Sequence, residues 1–234
     1  MLRIAKENNN LFNVFYGMLN NEDHDTLFNC LAFFHKHVTD DKKLNKISIT
    51  CVDCQNLNDY LYDNDVLTYN ECIDMLLCLK KQIEYLKRYN YSFLNVTPED
   101  IMVINKKIYV MMNSSKLCKI IKQTNQTNQT NQTNQTNKEN NEMLFEEGTK
   151  IQITVYDDFD NMFSTPEVLK IEMLPCMIDV KTVYYNIGLL VLFSLYGHTY
   201  VDNSVWRTKL NGTKLYWFLV RCFENINKRD LLFV

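Results

Sequence analysis

Five consecutive Gln-Thr-Asn triplets run from Gln123 to Asn137, followed by Lys138-Glu139-Asn140-Asn141. A stretch with no apolar side chain has nothing to bury against the entropy of ordering it, about 1–2 kcal/mol per residue for the backbone alone. The tract therefore predicts a disordered low-complexity insert over 122–142, an expanded surface loop. Any core must come from the residues on either side of it. Its Asn-X-Thr matches, such as Asn125-Gln126-Thr127, have meaning for glycosylation only in a secreted protein, and the start MLRIAKENNN has no apolar signal region. The longest predominantly apolar run, Ile187 to Tyr196, is ten residues, half of the ~20 that a bilayer span needs. These features predict a cytoplasmic protein that engages no membrane, with its eight Cys as reduced thiols.

Charge and glycine usage exclude further classes. A net charge of −3, from 25 Lys+Arg and 28 Asp+Glu, makes no electrostatic case for nucleic acid. The five glycines, Gly17, Gly148, Gly188, Gly197 and Gly212, are never closer than nine residues apart. That spacing rules out the Gly-rich loops that let a backbone wrap a phosphate. The 29 Asn against two Ala suit an AT-rich genome, viral or parasitic.

Periodicity sketches the elements. Leu11, Phe12, Phe15, Met18 and Leu19 fall at helical spacing over 8–21. Residues 26–34 (TLFNCLAFF) and 46–52 (KISITCV) read as strands. Thr68 with Glu71 three residues on is a capping box, predicting a helix to about Tyr89 that buries Cys72, Leu76, Leu79, Ile83 and Leu86. Residues 108–112 and 151–156 read as short strands, 180–196 and 213–224 as core helices. Cys51-x-x-Cys54 with His35 and His37 is compositionally compatible with zinc, but strand-borne ligands lack the tight turn of a zinc knuckle, so no metal is expected. Asp157-Asp158 reads as a solvated turn.

The stretch 91–113, YSFLNVTPEDIMVINKKIYVMMN, with FSTPE at 163–167, resembles the C-terminal lobe of a protein kinase. There a catalytic loop H-R-D-L-K-P-E-N-I-L follows a long helix, a strand leads to D-F-G, and A-P-E ends the activation segment. FLNVTPEDIM (93–102) matches the loop at Pro98, Glu99 and Ile101, and Thr165-Pro166-Glu167 matches A-P-E. YYNIGLLVLFSLYG resembles the buried D-x-Y-S-L-G helix, and LVRCFENINKR the closing L-x-x-C-L-x-x-x-P-x-x-R. Upstream, KISITCVDCQNLNDYL is similar to the strand, hinge and helix in kinases of the translation initiation factor 2 α subunit. The truncated baculovirus inhibitors of those kinases also carry Asn at the base position. The resemblance covers about 24–234 without the insert.

It implies an α+β, protein kinase-like fold: a reduced N-terminal lobe and hinge over 1–55 (a helix plus two strands) and a mainly helical C-terminal lobe over 56–234. The departures imply that catalysis is lost. The base position is Asn95, and a carboxamide has no usable basicity where a positioned base is worth ~10²–10⁴-fold. The D-F-G Asp aligns with Asn113, or with Met112 one place earlier, and the second metal ligand with Asp100 in place of Asn, a poor Mg²⁺ site by itself. Val183 replaces the Asp that bonds the loop backbone, which implies weakened anchoring. His24-Asp25-Thr26-Leu27 resembles H-P-N-I, placing the first helix's usual Glu near Asn13 or Val14, while Ile4-Ala5-Lys6 lies too close to that helix to supply the V-A-I-K Lys. About 52 residues precede the hinge, too few for the Gly-rich loop and Lys strand. Glu167 and Arg229 match a buried ion pair of the family.

The resemblance thus implies a pseudokinase with no ATP, Mg or other cofactor. Its partner would be a protein, a host kinase of initiation factor 2 α that it inhibits to preserve translation. Leu11, Phe12, Phe15 and Met18, with strand 46–54, are the candidate contacts. A divergent, weakly active ATP-binding kinase and a scaffold with an unrelated partner are the alternatives.

Overall fold

The computed structural model describes residues 2–15, 20–122, 149–154 and 161–231. The Gln-Thr-Asn tract, Met18 and Asp157-Asp158 lie outside the described residues. The architecture mixes α and β elements in two cores that share a wall.

The first core is a four-stranded antiparallel sheet with one helix on it. Strands β1 (Arg3–Asn8), β2 (Leu11–Phe15), β3 (Val38–Asp41) and β4 (Lys46–Thr50) take the order β1-β2-β4-β3. Helix α1 (Asn21–Phe34) connects β2 to β3, and the Asn20 side chain caps it by accepting from the Asp23 N–H at 2.8 Å. The expected helix over 8–21 is therefore corrected to strand β2. Phe12 and Val14 face inward opposite Ile49 and Ile47, with Asn13 on the other face. This is a period of two that a count of Leu11, Phe12 and Phe15 at helical intervals obscured. The expected strand over 26–34 is corrected to helix α1. Leu27, Cys30 and Leu31 stand at helical spacing and are buried, and tertiary packing overrode the β-rich composition. His24–Leu27 consequently lies inside a helix, and Asn13 and Val14 lie on a strand. Four strands and a helix replace the expected helix and two strands.

Residues 51–53 lead into the larger, more helical part. It contains β5 (Cys54–Asn56), α2 (Leu57–Asn64), α3 (Tyr69–Arg88), β6 (Tyr91–Phe93), β7 (Ile101–Ile104) and β8 (Ile108–Met111). Beyond them come β9 (Leu117–Lys122), β10 (Thr149–Ile153), β11 (Cys176–Asp179), α4 (Thr182–Tyr196), α5 (Ser204–Leu210) and α6 (Lys214–Cys222). Two further sheets run β5-β7-β8 and β11-β10-β9-β6. Helix α3 starts at the Thr68–Glu71 capping box and buries the predicted face. The β7–β8 hairpin is the shared wall. Ile101, Val103, Tyr109 and Met111 face the helical core, while Met102, Ile104 and Val110 face the first sheet with Phe12, Val14, Ile47 and Ile49. The free edge of β8 is closed by Gln82 of α3, fully buried, which donates to the Met111 carbonyl and accepts from the Met111 N–H, both at 2.8 Å.

Helices α4 and α6 approach so closely at Gly188 that a Cβ there would lie 2.8 Å from Phe223 Cε1 and 2.9 Å from Cys222 Cβ. Gly188→Ala is expected to cost about 1–3 kcal/mol through overpacking, read as a lower urea midpoint at unchanged slope.

Candidate functional site

The chain leaves α3, forms β6, and enters the 94–97 loop with the Leu94 N–H bonded to the Lys116 carbonyl at 2.9 Å. Asn95 has φ of 55°, the left-handed region that Asn tolerates better than most residues. Its side chain is buried, and its Oδ1 accepts from the Ser164 hydroxyl at 3.1 Å. The Asn95 amide is thus tied into the segment that precedes Thr165-Pro166-Glu167.

Helix α4 holds the loop from below. Asn186, fully buried, accepts from the Val96 N–H at 2.9 Å and donates to the Val96 carbonyl at 2.9 Å and the Phe163 carbonyl at 3.0 Å. The weakened anchoring expected from Val183 is corrected here. Val183 is a buried apolar residue, and Asn186, one turn further along the helix, bonds the loop backbone. Sequence reasoning missed Asn186 as a site residue. The signal was present: an amide inside the apolar run Val183–Phe193 needs buried partners.

Asp100 and Asn113, thirteen residues apart, are in direct contact. The Asn113 amide donates to Asp100 Oδ1 at 2.5 Å. Asp100 Oδ2 accepts from the Thr97 N–H at 2.8 Å and the Thr97 hydroxyl at 3.1 Å. Asn113 Oδ1 in turn accepts from the Ser115 N–H at 3.1 Å and hydroxyl at 3.0 Å. Both side chains are buried, so this carboxylate serves as an acceptor that joins two turns. The two turns wall a cavity of about 610 Å³, lined also by Lys116, Phe163, Phe193 and Leu2 from the start of the first sheet. Any cation entering it would meet one carboxylate already accepting three hydrogen bonds, well short of the six or so oxygens that a hard divalent ion takes up. Among the described residues, no group of three or more His, Cys, Asp or Glu could hold a metal ion.

Glu167 and Arg229 meet in a bidentate pair, with Nη1 to Oε2 at 2.8 Å and Nη2 to Oε1 at 3.0 Å. Arg229 Nε also donates to the Glu224 carbonyl at 2.9 Å, and the guanidinium lies 4.7 Å from the Tyr185 ring centroid. Burial pushes the Tyr185 hydroxyl up, which keeps the ring neutral beneath the cation, although the cation itself opposes that shift. Three N–H groups of this buried Arg are engaged, two of them in a fork that meets one carboxylate, a geometry for which Lys has no equivalent.

Of the candidate contact residues, Phe12 is in the core, Leu11 and Phe15 are half-buried on the sheet's other face, and Met18 lies outside the described residues. His35 Nε2 lies 2.9 Å from the Thr50 carbonyl oxygen, so one of its ring nitrogens is occupied by backbone. Among the described residues, no helix is long and apolar enough to cross a membrane. No protein-family model matches the chain, and no curated protein matches it.

Asn186→Ala would strand the Val96 N–H and two carbonyls in the core, with an expected loss of about 2–4 kcal/mol in chemical denaturation. Arg229→Met, which leaves the Glu167 carboxylate without its guanidinium, is expected to lose about 3–5 kcal/mol. The double variant Arg229→Met, Glu167→Leu is expected to recover much of that loss, and denaturation of all three proteins measures the coupling.

Proposed function

We propose that this chain is a catalytically inactive kinase-like protein that works by binding. In keeping with the resemblance, its partner is a protein kinase of the translation initiation factor 2 α subunit, which it inhibits. The observation that carries the reading is the occupancy of three positions gathered around one loop and cavity. The base position holds the Asn95 amide, and the two metal positions hold Asp100 and Asn113, which bond to each other. An amide at the base position cannot accept a substrate hydroxyl proton at neutral pH.

Packing between the two cores supports the same reading. In kinases a Gly-rich loop covers the phosphates from the N-terminal lobe. A nucleotide held that way would lie between the first sheet and the β7–β8 hairpin. In this chain Leu2, Phe12, Val14, Met102, Ile104 and Met112 share one buried cluster there. The paired Glu167 and Arg229, together with Asn186, support a retained lobe geometry in the absence of catalytic groups.

The test is reconstitution with the catalytic domain of such a kinase. Phosphorylation of the α subunit is expected to fall at least several-fold as this protein is added in excess, and unchanged phosphorylation would refute the proposed partner. Asp100 at the cavity is the one feature that favours a weakly active, ATP-binding kinase instead. A thermal-shift series with Mg-ATP is expected to show no displacement at millimolar nucleotide. Ligand at 100 times its Kd would add about 2.7 kcal/mol and be plainly visible.

A further inference from the structure

Charge in this chain is unevenly placed. Residues 200–228 carry five Lys and Arg against two acidic residues, Asp202 and Glu224, in a chain whose total is −3. Arg207, Lys209, Lys214 and Lys228 are exposed. Arg207 and Lys209 stand two positions apart on α5, about 200° around a helix, with Trp206 and Leu210 buried beneath them. The helix therefore shows one cation along each flank.

Aromatic rings are interleaved with these cations. Gly197, at φ of 70°, ends α4 with a turn that brings His198 and Tyr200 back beside Tyr196. The three rings stack: His198 lies 6.0 Å from Tyr196 and 5.4 Å from Tyr200 between centroids, with interplanar angles of 22° and 29°. The Tyr200 N–H donates to His198 Nδ1 at 3.4 Å, which holds the middle ring. Lys209 Nζ lies over the Tyr196 ring, 5.6 Å from its centroid, and Tyr200 ends the stack with 71% of its surface exposed. On the other flank of α5 the Arg207 guanidinium covers Trp206 at 4.8 Å. From Trp206 the rings continue outward through Tyr216, 6.1 Å away, to Trp217, 5.1 Å further and 55% exposed.

Exposed ring faces beside cations select a partner by its chemistry. A carboxylate would meet the cations but is repelled by the negative faces of the rings. An apolar segment would cover the rings and leave the cations without counter-charge. A nucleotide answers both, with a planar base for the ring face and a phosphate for the cation. In a duplex the base faces are already stacked on one another, so only a single strand offers them. We propose that this face is a docking surface for single-stranded nucleic acid, with bases stacked on Tyr200 and Trp217 and the backbone phosphates between them against Arg207 and Lys209. The total charge of −3 makes no case for nucleic acid because it averages this basic segment with an acidic remainder. The surface is independent of the proposed inhibition of a kinase.

The experiment titrates the full chain with fluorescein-labelled oligo(U) and oligo(dT) of about 15 nucleotides, followed by anisotropy across a salt series. Saturable binding is expected, with log K falling against log salt at a slope of about −1.4 or steeper, the value for two phosphates. Stacking and phosphate contact are common to RNA and DNA, and the tighter of the two arms identifies the strand the surface takes. Unlabelled strand is expected to quench the fluorescence of Trp217, and Trp217→Phe to abolish that quenching. Tyr200→Ala and Trp217→Ala, both at exposed positions, are each expected to weaken binding about 5-fold or more. The double variant Arg207→Gln, Lys209→Gln is expected to flatten the salt dependence. Two comparisons need no variant: a duplex of the same length and poly-glutamate are both expected to bind at least ~10-fold more weakly than the single strand. Poly-glutamate binding as tightly would make the face a site for acidic protein and overturn the proposal. So would equal affinity for the duplex, absence of binding at low salt, or binding that Tyr200→Ala and Trp217→Ala leave unchanged.

Discussion

The β7–β8 hairpin is buried on both faces, and both cores are built against it. Because side chains alternate along a strand, Ile101 and Val103 must serve the helical core while Met102 and Ile104 serve the sheet core. A slip of one residue would exchange the two sets, so the register is fixed by two packing surfaces at once. Antiparallel pairing of Ile101 with Met111 also sets the site. It places Asp100 beside Met112, whose N–H donates to the Asp100 carbonyl at 2.9 Å, and so delivers Asn113 to the Asp100 carboxylate. The contact between two residues thirteen positions apart is a consequence of hairpin geometry.

Such a wall has a cost at its edge. β8 is the last strand of its sheet and lies in the interior, where an unpaired N–H or carbonyl is destabilising by about 1–3 kcal/mol. Gln82 supplies one donor and one acceptor in the place of a neighbouring strand, from a helix whose other inward residues are apolar or weakly polar. Asn186 does the same for the loop at 96. In both cases one side-chain amide satisfies backbone that no strand can reach, and its two ends match the N–H and carbonyl of one residue.

These amides mark the limit of what could be read in the sequence. Helix α3 was legible because its capping box and its apolar period agree, and α4 and α6 because their apolar runs are long. Of the first sheet, β4 was legible as the strand expected over 46–52, and β1, β2 and β3 were not. Leu11, Phe12 and Phe15 satisfy helical spacing while Phe12 and Val14 satisfy alternation, and only the partner strand β4 decides between them. Helix α1 carries β-favouring side chains that its packing against the sheet overrides. Strand β7 gave no period because both faces are buried, which leaves an uninterrupted apolar run. At the site, residue types were legible: an amide at 95, a carboxylate at 100, an amide at 113. The pairing of 100 with 113 and the anchoring by Asn186 were not, since both join residues remote in sequence.

The loop is held by bonds to its backbone that do not involve the side chain at position 95. Loop 94–97 lies under α4, so its peptide groups are buried whatever residue occupies position 95. Leaving the Val96 N–H and carbonyl unbonded would destabilise the fold whether or not the loop carries a base. Asn186 therefore answers a requirement of folding, and the left-handed φ at Asn95 is held by the same bonds. The Asn95 amide oxygen accepts from Ser164, a bond that a carboxylate oxygen at this position could equally accept. The bonds that fix the path of the loop run through Val96 and Phe163, so that path does not depend on the acid–base character of the side chain at position 95.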